Sequence, residues 1–154
     1  MGLFLTKIAA IIEPVTQWVE TVSQAGLDAG RSLTPWEAAV ARHVGVQEPG
    51  LVRLIHVDTM PMPASAELQA AAQQLGLLSS ATRGLTLDHA IFIRGEVLSP
   101  QVLAHELRHV HQYEQFGSIE AFLSAYLREL LTHGYAAAPL ECDARQWEDT
   151  WLDV

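Results

Sequence analysis

Apolar residues recur at helical spacing along most of this chain and at strand spacing in only a few short stretches. From residue 6 to 26, Ile8, Ile12, Val15, Val19 and Val22 fall on one stripe, which predicts an amphipathic helix. Pro14 is placed to kink or divide it, and Gly26 and Gly30 mark its end. SLTPWEAAVARHV then starts a second helix. Thr34 is its N-cap, Pro35 takes the first helical position, and Glu37 completes a capping box. After the Pro49-Gly50 turn, LVRLIHVD alternates as a strand should, and MPMP reads as a loop. Ser65 opens a short helix that Gly76 closes. GLTLDHAIFIRG, residues 84 to 95, is bounded by glycines and rich in β-favouring residues, and reads as a strand.

Ser99-Pro100 caps a further helix, which carries VLAHELRHVHQYEQF and ends at Gly117. SIEAFLSAYLRELLTHG forms another amphipathic helix up to Gly134, and Pro139 begins the last one, PLECDARQWEDTWL. Helices, then two or three strands, then three helices predict an α+β fold in a single small domain. It is mainly helical, with a short sheet beside the histidine-bearing helix. Residues 1–30 form an N-terminal amphipathic helical segment ahead of the domain at 31–154.

Composition narrows the partners. A chain of 154 residues, 49% of them apolar, has enough material for a core without staples and does not read as disordered. A formal charge of −9 argues against nucleic acid or an anionic membrane as partner. The single cysteine, Cys142, excludes an internal disulfide and any thiolate-rich metal site, so a metal here must be held by imidazole and carboxylate. No segment reaches bilayer-spanning length, and Lys7 and Glu13 interrupt the apolar start, so the expected location is cytoplasmic. MGLFLT fits the N-myristoylation pattern, but an ordinary amphipathic helix is the preferred reading. Such a helix could pack on the domain, dock a partner or touch a membrane surface.

The candidate chemistry lies in HELRH, residues 105 to 109. Two histidines one turn apart project from one face of a helix and can reach a single ion. With His105 at zero on the helical wheel, His109, Val102, Glu106, Tyr113 and Phe116 lie within about 100°. Leu103, Leu107 and Val110 lie opposite, where they can face a core. His111 points about 160° away from His109, which makes it a poor ligand. Glu106 flanks the ion without needing to bind it, as a general base for a metal-activated water should. A catalytic zinc site takes three protein ligands and leaves one position open. Glu141, in the first turn of the last helix, is the preferred third ligand, with Asp143 and then His133 as alternatives.

Plainer readings exist for each. HELRH could be a charge-laced surface helix, with Glu106 paired to Arg108 or Arg128. Glu141 could simply sit well at a helix N-terminus, and His133 at a C-terminus. His56 and His89 suit strand side chains with local hydrogen bonds. Trp18, Trp36, Trp147 and Trp151 suit core or interface, and Cys142 a small packing residue.

HELRH after a strand, followed by E-x-x-A at Glu141 and Ala144, resembles the zincin metallopeptidases in their gluzincin arrangement. LTPWEAAVARHV, TLDHAIFIRG, LAHELRHVHQY and YAAAPLECDA, spanning residues 33 to 145, resemble a poorly characterised family of small bacterial predicted zinc metallopeptidases. The resemblance implies a zinc-dependent peptidase domain at 31–154, with Zn2+ on His105, His109 and Glu141 and with Glu106 as general base. Tyr113, Tyr135 and His89 become candidates to steady the oxyanion, and residues 85 to 93 a strand along which an extended peptide or protein substrate could pair. Where some relatives carry an aspartate after the alanine, this chain has Arg145, so that partner is made differently or is absent; Asp88 or Asp143 could substitute. The acidic balance leans toward cationic or neutral peptides. The alternative is a catalytically quiet zinc-binding module of the same shape, used for interaction or recruitment.

Overall fold

A computed structural model describes residues 2–154. Its elements, in order, are α1 (Gly2–Ala29), β1 (Arg31–Ser32), α2 (Pro35–His43), β2 (Arg53–Val57), α3 (Ala66–Gln74), β3 (Gly84–Leu87), β4 (Ala90–Arg94), α4 (Pro100–Phe116), α5 (Ile119–His133) and α6 (Pro139–Gln146). Short 3-10 turns at Pro49–Leu51 and Thr150–Asp153 complete it. The fold is α+β and mainly helical, with one small mixed sheet.

That sheet has four strands in the order β1-β2-β4-β3, where two or three were expected. β2 and β4 run parallel, and the two outer pairs are antiparallel. The additional strands come from two places. β1 is only two residues long, too short to leave a pattern. Residues 84–95, read as one strand, fold into a hairpin: Leu87 pairs with Ala90 around a two-residue turn. Asp88 takes φ 58 there, a left-handed conformation that aspartate tolerates better than most residues.

β4 sits inside the sheet with both faces covered, so it reads as continuous apolar sequence. Its residues still alternate. Ile91 and Ile93 join Leu54, Val40, Val44, Leu103, Leu107 and Val110 on the α2/α4 side. Ala90 and Phe92 join Val19, Leu87, Tyr113 and Phe122 on the α1/α5 side. Leu107 is fully buried at the centre of the first cluster, where truncation to alanine would cost about 2–5 kcal/mol.

α1 does not break at Gly26, nor divide at Pro14; one helix continues to Ala29. Gly26 serves a different purpose. A Cβ there would lie 2.9 Å from Phe92, 3.0 Å from Ala90 and 3.1 Å from Ile55, so its absence lets the helix lie directly on the sheet. The chain leaves the helix at Gly30, as expected. The expected caps are present on α2, α3 and α4, and α5 has one as well. Thr34 and Glu37 make a full capping box, and Ser65, Ser99 and Ser118 each accept from a first-turn N–H. Gly117 ends α4 at φ 83. The last helix is shorter than PLECDARQWEDTWL suggests: α6 stops at Gln146. No helix among the described residues is long and apolar enough to cross a membrane.

Candidate metal centre

α4 carries its chemistry on the side away from Leu103, Leu107 and Val110. Ser99 and Pro100 fix its start, and the apolar side locks its rotation against the sheet, so His105, Glu106 and His109 turn toward α6 and β3. α6 has no side-chain cap of its own. The Glu129 carboxylate of α5 instead accepts the Leu140 N–H at 2.8 Å, which holds the first turn and with it Glu141.

His105, His109 and Glu141 converge. The two Nε2 atoms are 3.1 Å apart, and each lies 3.2 Å from one oxygen of Glu141. One ligand atom from each residue falls within 4.8 Å of the others. A tetrahedral ion with bonds of about 2.0–2.1 Å has ligand atoms about 3.3 Å apart, so the spacing fits. Arg108 turns elsewhere, onto Asp143 and over the Trp147 ring, and does not pair with Glu106.

The protons decide what the cluster wants. Gln112 donates its amide nitrogen to Leu140 O at 2.9 Å and to Asp143 Oδ2 at 2.9 Å. Its oxygen must therefore face His109 Nδ1, 2.7 Å away, which then carries the hydrogen. His105 Nδ1 likewise faces a carboxylate, Glu148 Oε1, at 2.9 Å. With both Nδ1 positions donating, both Nε2 lone pairs point at each other and at Glu141 in the neutral state. Glu141 is 2% exposed, and among the described residues its Oε2 accepts no hydrogen bond. It lies 3.2 Å from His105 Nε2 all the same. Three acceptors facing inward require a positive charge between them, a metal ion or protons. The His-His-Glu group could hold a metal ion.

Protons leave their mark on the metal-free site. Burial, the largest influence on His105, lowers its pKa, but the Glu141 contact, the charges of Glu106 and Glu141 and the Glu148 contact together raise it to about 9. His109 moves the same way against its own burial. Burial pushes the Glu141 carboxyl up, yet the two imidazoles, once protonated, and the Tyr126 hydroxyl hold it well below the usual range.

Around these three, the structure places the remaining candidates as follows. Glu106 is 6% exposed; Thr86 Oγ1 donates to its Oε2 at 2.6 Å, leaving Oε1 facing Gly84. A Cβ at Gly84 would meet that oxygen at 2.7 Å. Tyr135 reaches the site beside Glu141, and burial together with the Glu141 charge raises its pKa. Tyr113 lines the same cavity but stacks on Phe122. His89 is not brought to the site. It sits in the β3–β4 turn between Asp88 and Glu114. Asp143 reaches His109 only through Gln112, and Asp88 stays with His89. His133 ends α5 and is not part of the cluster. His56 bonds Gly95 O, and His111 bonds Gly45 O.

Three residues go unnoticed in the sequence. Gln112 and Glu148 orient the histidines, and Tyr126 donates to Glu141 Oε1 at 2.7 Å from a position stacked on Phe122. Gln112 lies three residues after His109 on the same helix, a spacing that could have flagged it; Tyr126 is the polar-tipped residue on an otherwise apolar helical stripe. Comparison with models of known protein families, with curated proteins and with solved structures finds no match.

Proposed function

We propose that this chain is a zinc-dependent peptidase with a zincin-like, gluzincin-type centre: His105, His109 and Glu141 hold the ion, and Glu106 is the general base. The observation that carries this reading is the orphaned, buried Glu141 Oε2 opposite two imidazoles whose Nδ1 atoms are already committed. Two imidazoles and a carboxylate are a donor set that suits zinc, leaving a coordination position for water. When bound, the ion would lower the pKa of that water toward about 7 and polarise a substrate carbonyl.

The chain's own residues supply the rest. Glu106 Oε1, the oxygen that Thr86 does not hold, takes a proton from the attacking water and passes it to the leaving amine. Tyr135, which lines the groove beside His105 and Glu106, is the donor assigned to the developing oxyanion. Substrate pairing falls to β3 alone, since β4 is flanked on both sides by other strands. Arg94 N donates to Arg83 O, so alternation leaves Gly84 and Thr86 with backbone groups turned to the free edge, where an extended peptide can add.

The runner-up, a catalytically quiet zinc module, fits less well, because a cavity and a groove both reach His105 and Glu106. The deciding experiment compares wild type with Glu106→Gln on a broad peptide library with added zinc. Chelator-sensitive cleavage by wild type alone is expected. Equal, chelator-insensitive activity in both would reject the proposal.

A further inference from the structure

The space behind the metal centre is larger than a water molecule requires, and most of its lining is apolar. It encloses about 160 Å³. An apolar cavity of about 150 Å³ accepts a molecule the size of benzene. His105, Glu106, His109 and Glu141 stand at one end. Val15 and Trp18 of α1, Leu68 and Ala72 of α3 and Leu75 just after it form the far walls, with Leu85 of β3 along the side. A groove that also reaches His105 and Glu106 has a different character: Arg83, Gln101 and Glu148 line it. Thr82, Gly84 and Tyr135 border both spaces, so the reactive groups occupy a waist between an apolar cavity and a polar groove.

Resting on the peptidase reading, we propose that the cavity is a specificity pocket that selects peptides with one large apolar side chain, of leucine or phenylalanine size, next to the bond that is cut. Strand register supports this. Residues directly opposite each other on neighbouring strands project to the same face. A peptide residue aligned with Leu85 therefore points to Leu85's own side of the sheet, where the cavity lies. Charge supports it too. An acidic side chain would meet Glu106 and Glu141 at the entrance, and any charged group would be stranded among Val15, Trp18 and Leu75. The N-terminal helix thereby acquires a role as a wall of the pocket.

The test uses full-length Glu106→Gln protein loaded with zinc and a set of blocked peptides differing at one position: Phe, Leu, Gly or Glu. Binding measured by calorimetry should favour Phe and Leu over Gly by about ten- to a hundredfold, the effect of burying such a side chain; Glu should bind no better than Gly. Adding Ala72→Phe, which fills the cavity with the protein's own ring, should bring the Phe-to-Gly ratio close to one while zinc content and thermal unfolding stay unchanged. Should that variant fail to fold, Leu85→Ala enlarges the pocket instead and should shift the preference from Phe toward Trp. In metal-free wild type, toluene should move the methyl NMR signals of Val15, Leu75 and Leu85. A Phe-to-Gly ratio near one in the Glu106→Gln protein, a ratio unmoved by either cavity variant, or no toluene shift would overturn the pocket. Persistent Phe preference with no cleavage by wild type would keep the pocket and remove the peptidase. Cleavage indifferent to side chain would do the reverse.

Discussion

Gln112 offers the sharpest test of how the metal centre is held. It is 4% exposed and joins His109 Nδ1 to Leu140 O and Asp143. Gln112→Met keeps the length and volume of the side chain but removes both its acceptor and its donors. Water cannot easily replace them at so buried a position. The His109 Nδ1–H then has no partner, which costs about 1–3 kcal/mol. Loss of an orienting partner of this type lowers metal affinity about 10- to 100-fold, which is about 1.4–2.7 kcal/mol. Zinc Kd, read by competition with a chromophoric chelator near neutral pH, should weaken over that range while far-UV circular dichroism is unchanged. Gln112→Glu sharpens the comparison. It restores an acceptor for His109 but turns a carboxylate toward Leu140 O and Asp143. It should therefore lose less zinc affinity than Gln112→Met and more stability in the metal-free state. A zinc Kd for a folded Gln112→Met within about twofold of wild type would refute the claim that Nε2 of His109 binds metal through this tautomer.

Other perturbations probe neighbouring parts. Gly84→Ala places a methyl group 2.7 Å from Glu106 Oε1 and must displace the carboxylate; peptide hydrolysis should fall at least about tenfold, with zinc content retained, and full activity would contradict the assigned base. In metal-free protein, the His105 pKa raised to about 9 means the stabilisation is complete below the unfolded value near 6.5 and disappears as pH climbs through about 9. Thermal unfolding of wild type relative to His105→Gln should show that loss, and zinc affinity should rise across the same interval as protons leave; a flat profile would refute both. Gly26→Ala presses a methyl group against Phe92 and Ala90 and should destabilise by about 1–3 kcal/mol in denaturant unfolding, and an unchanged midpoint would contradict the close seating of α1 on the sheet.

Local chemistry made much of this fold legible. Thr34 with Glu37, Ser99 with Pro100, and Gly117 act within one turn of chain, so their caps follow directly from residue order. The α+β class follows because apolar spacing changes period at Arg53–Val57 and again near residue 84. The hairpin was hidden because Asp88 and His89 interrupt β-favouring residues without a glycine between them, and because the interior strand β4 lacks polar alternation. Gly26 misled for the converse reason: helix signals weigh local propensity, whereas α1 is held by its contact with the sheet and α5. At the site, spacing along one helix points to His105 and His109, and a helix start points to Glu141. Gln112, Tyr126 and Glu148 depend on how α4, α5 and α6 meet, which no single stretch of sequence encodes.

The arrangement of the three ligands also bears on mechanical integrity. His105 and His109 belong to α4 and Glu141 to α6, with all of α5 intervening. An ion shared among them closes a long loop, the kind of cross-link whose entropic benefit grows with the span it encloses. An ion held there would act as a clasp on the C-terminal third of the chain, and its removal would loosen α5 and α6 from α4 while the sheet and α2 keep their own packing.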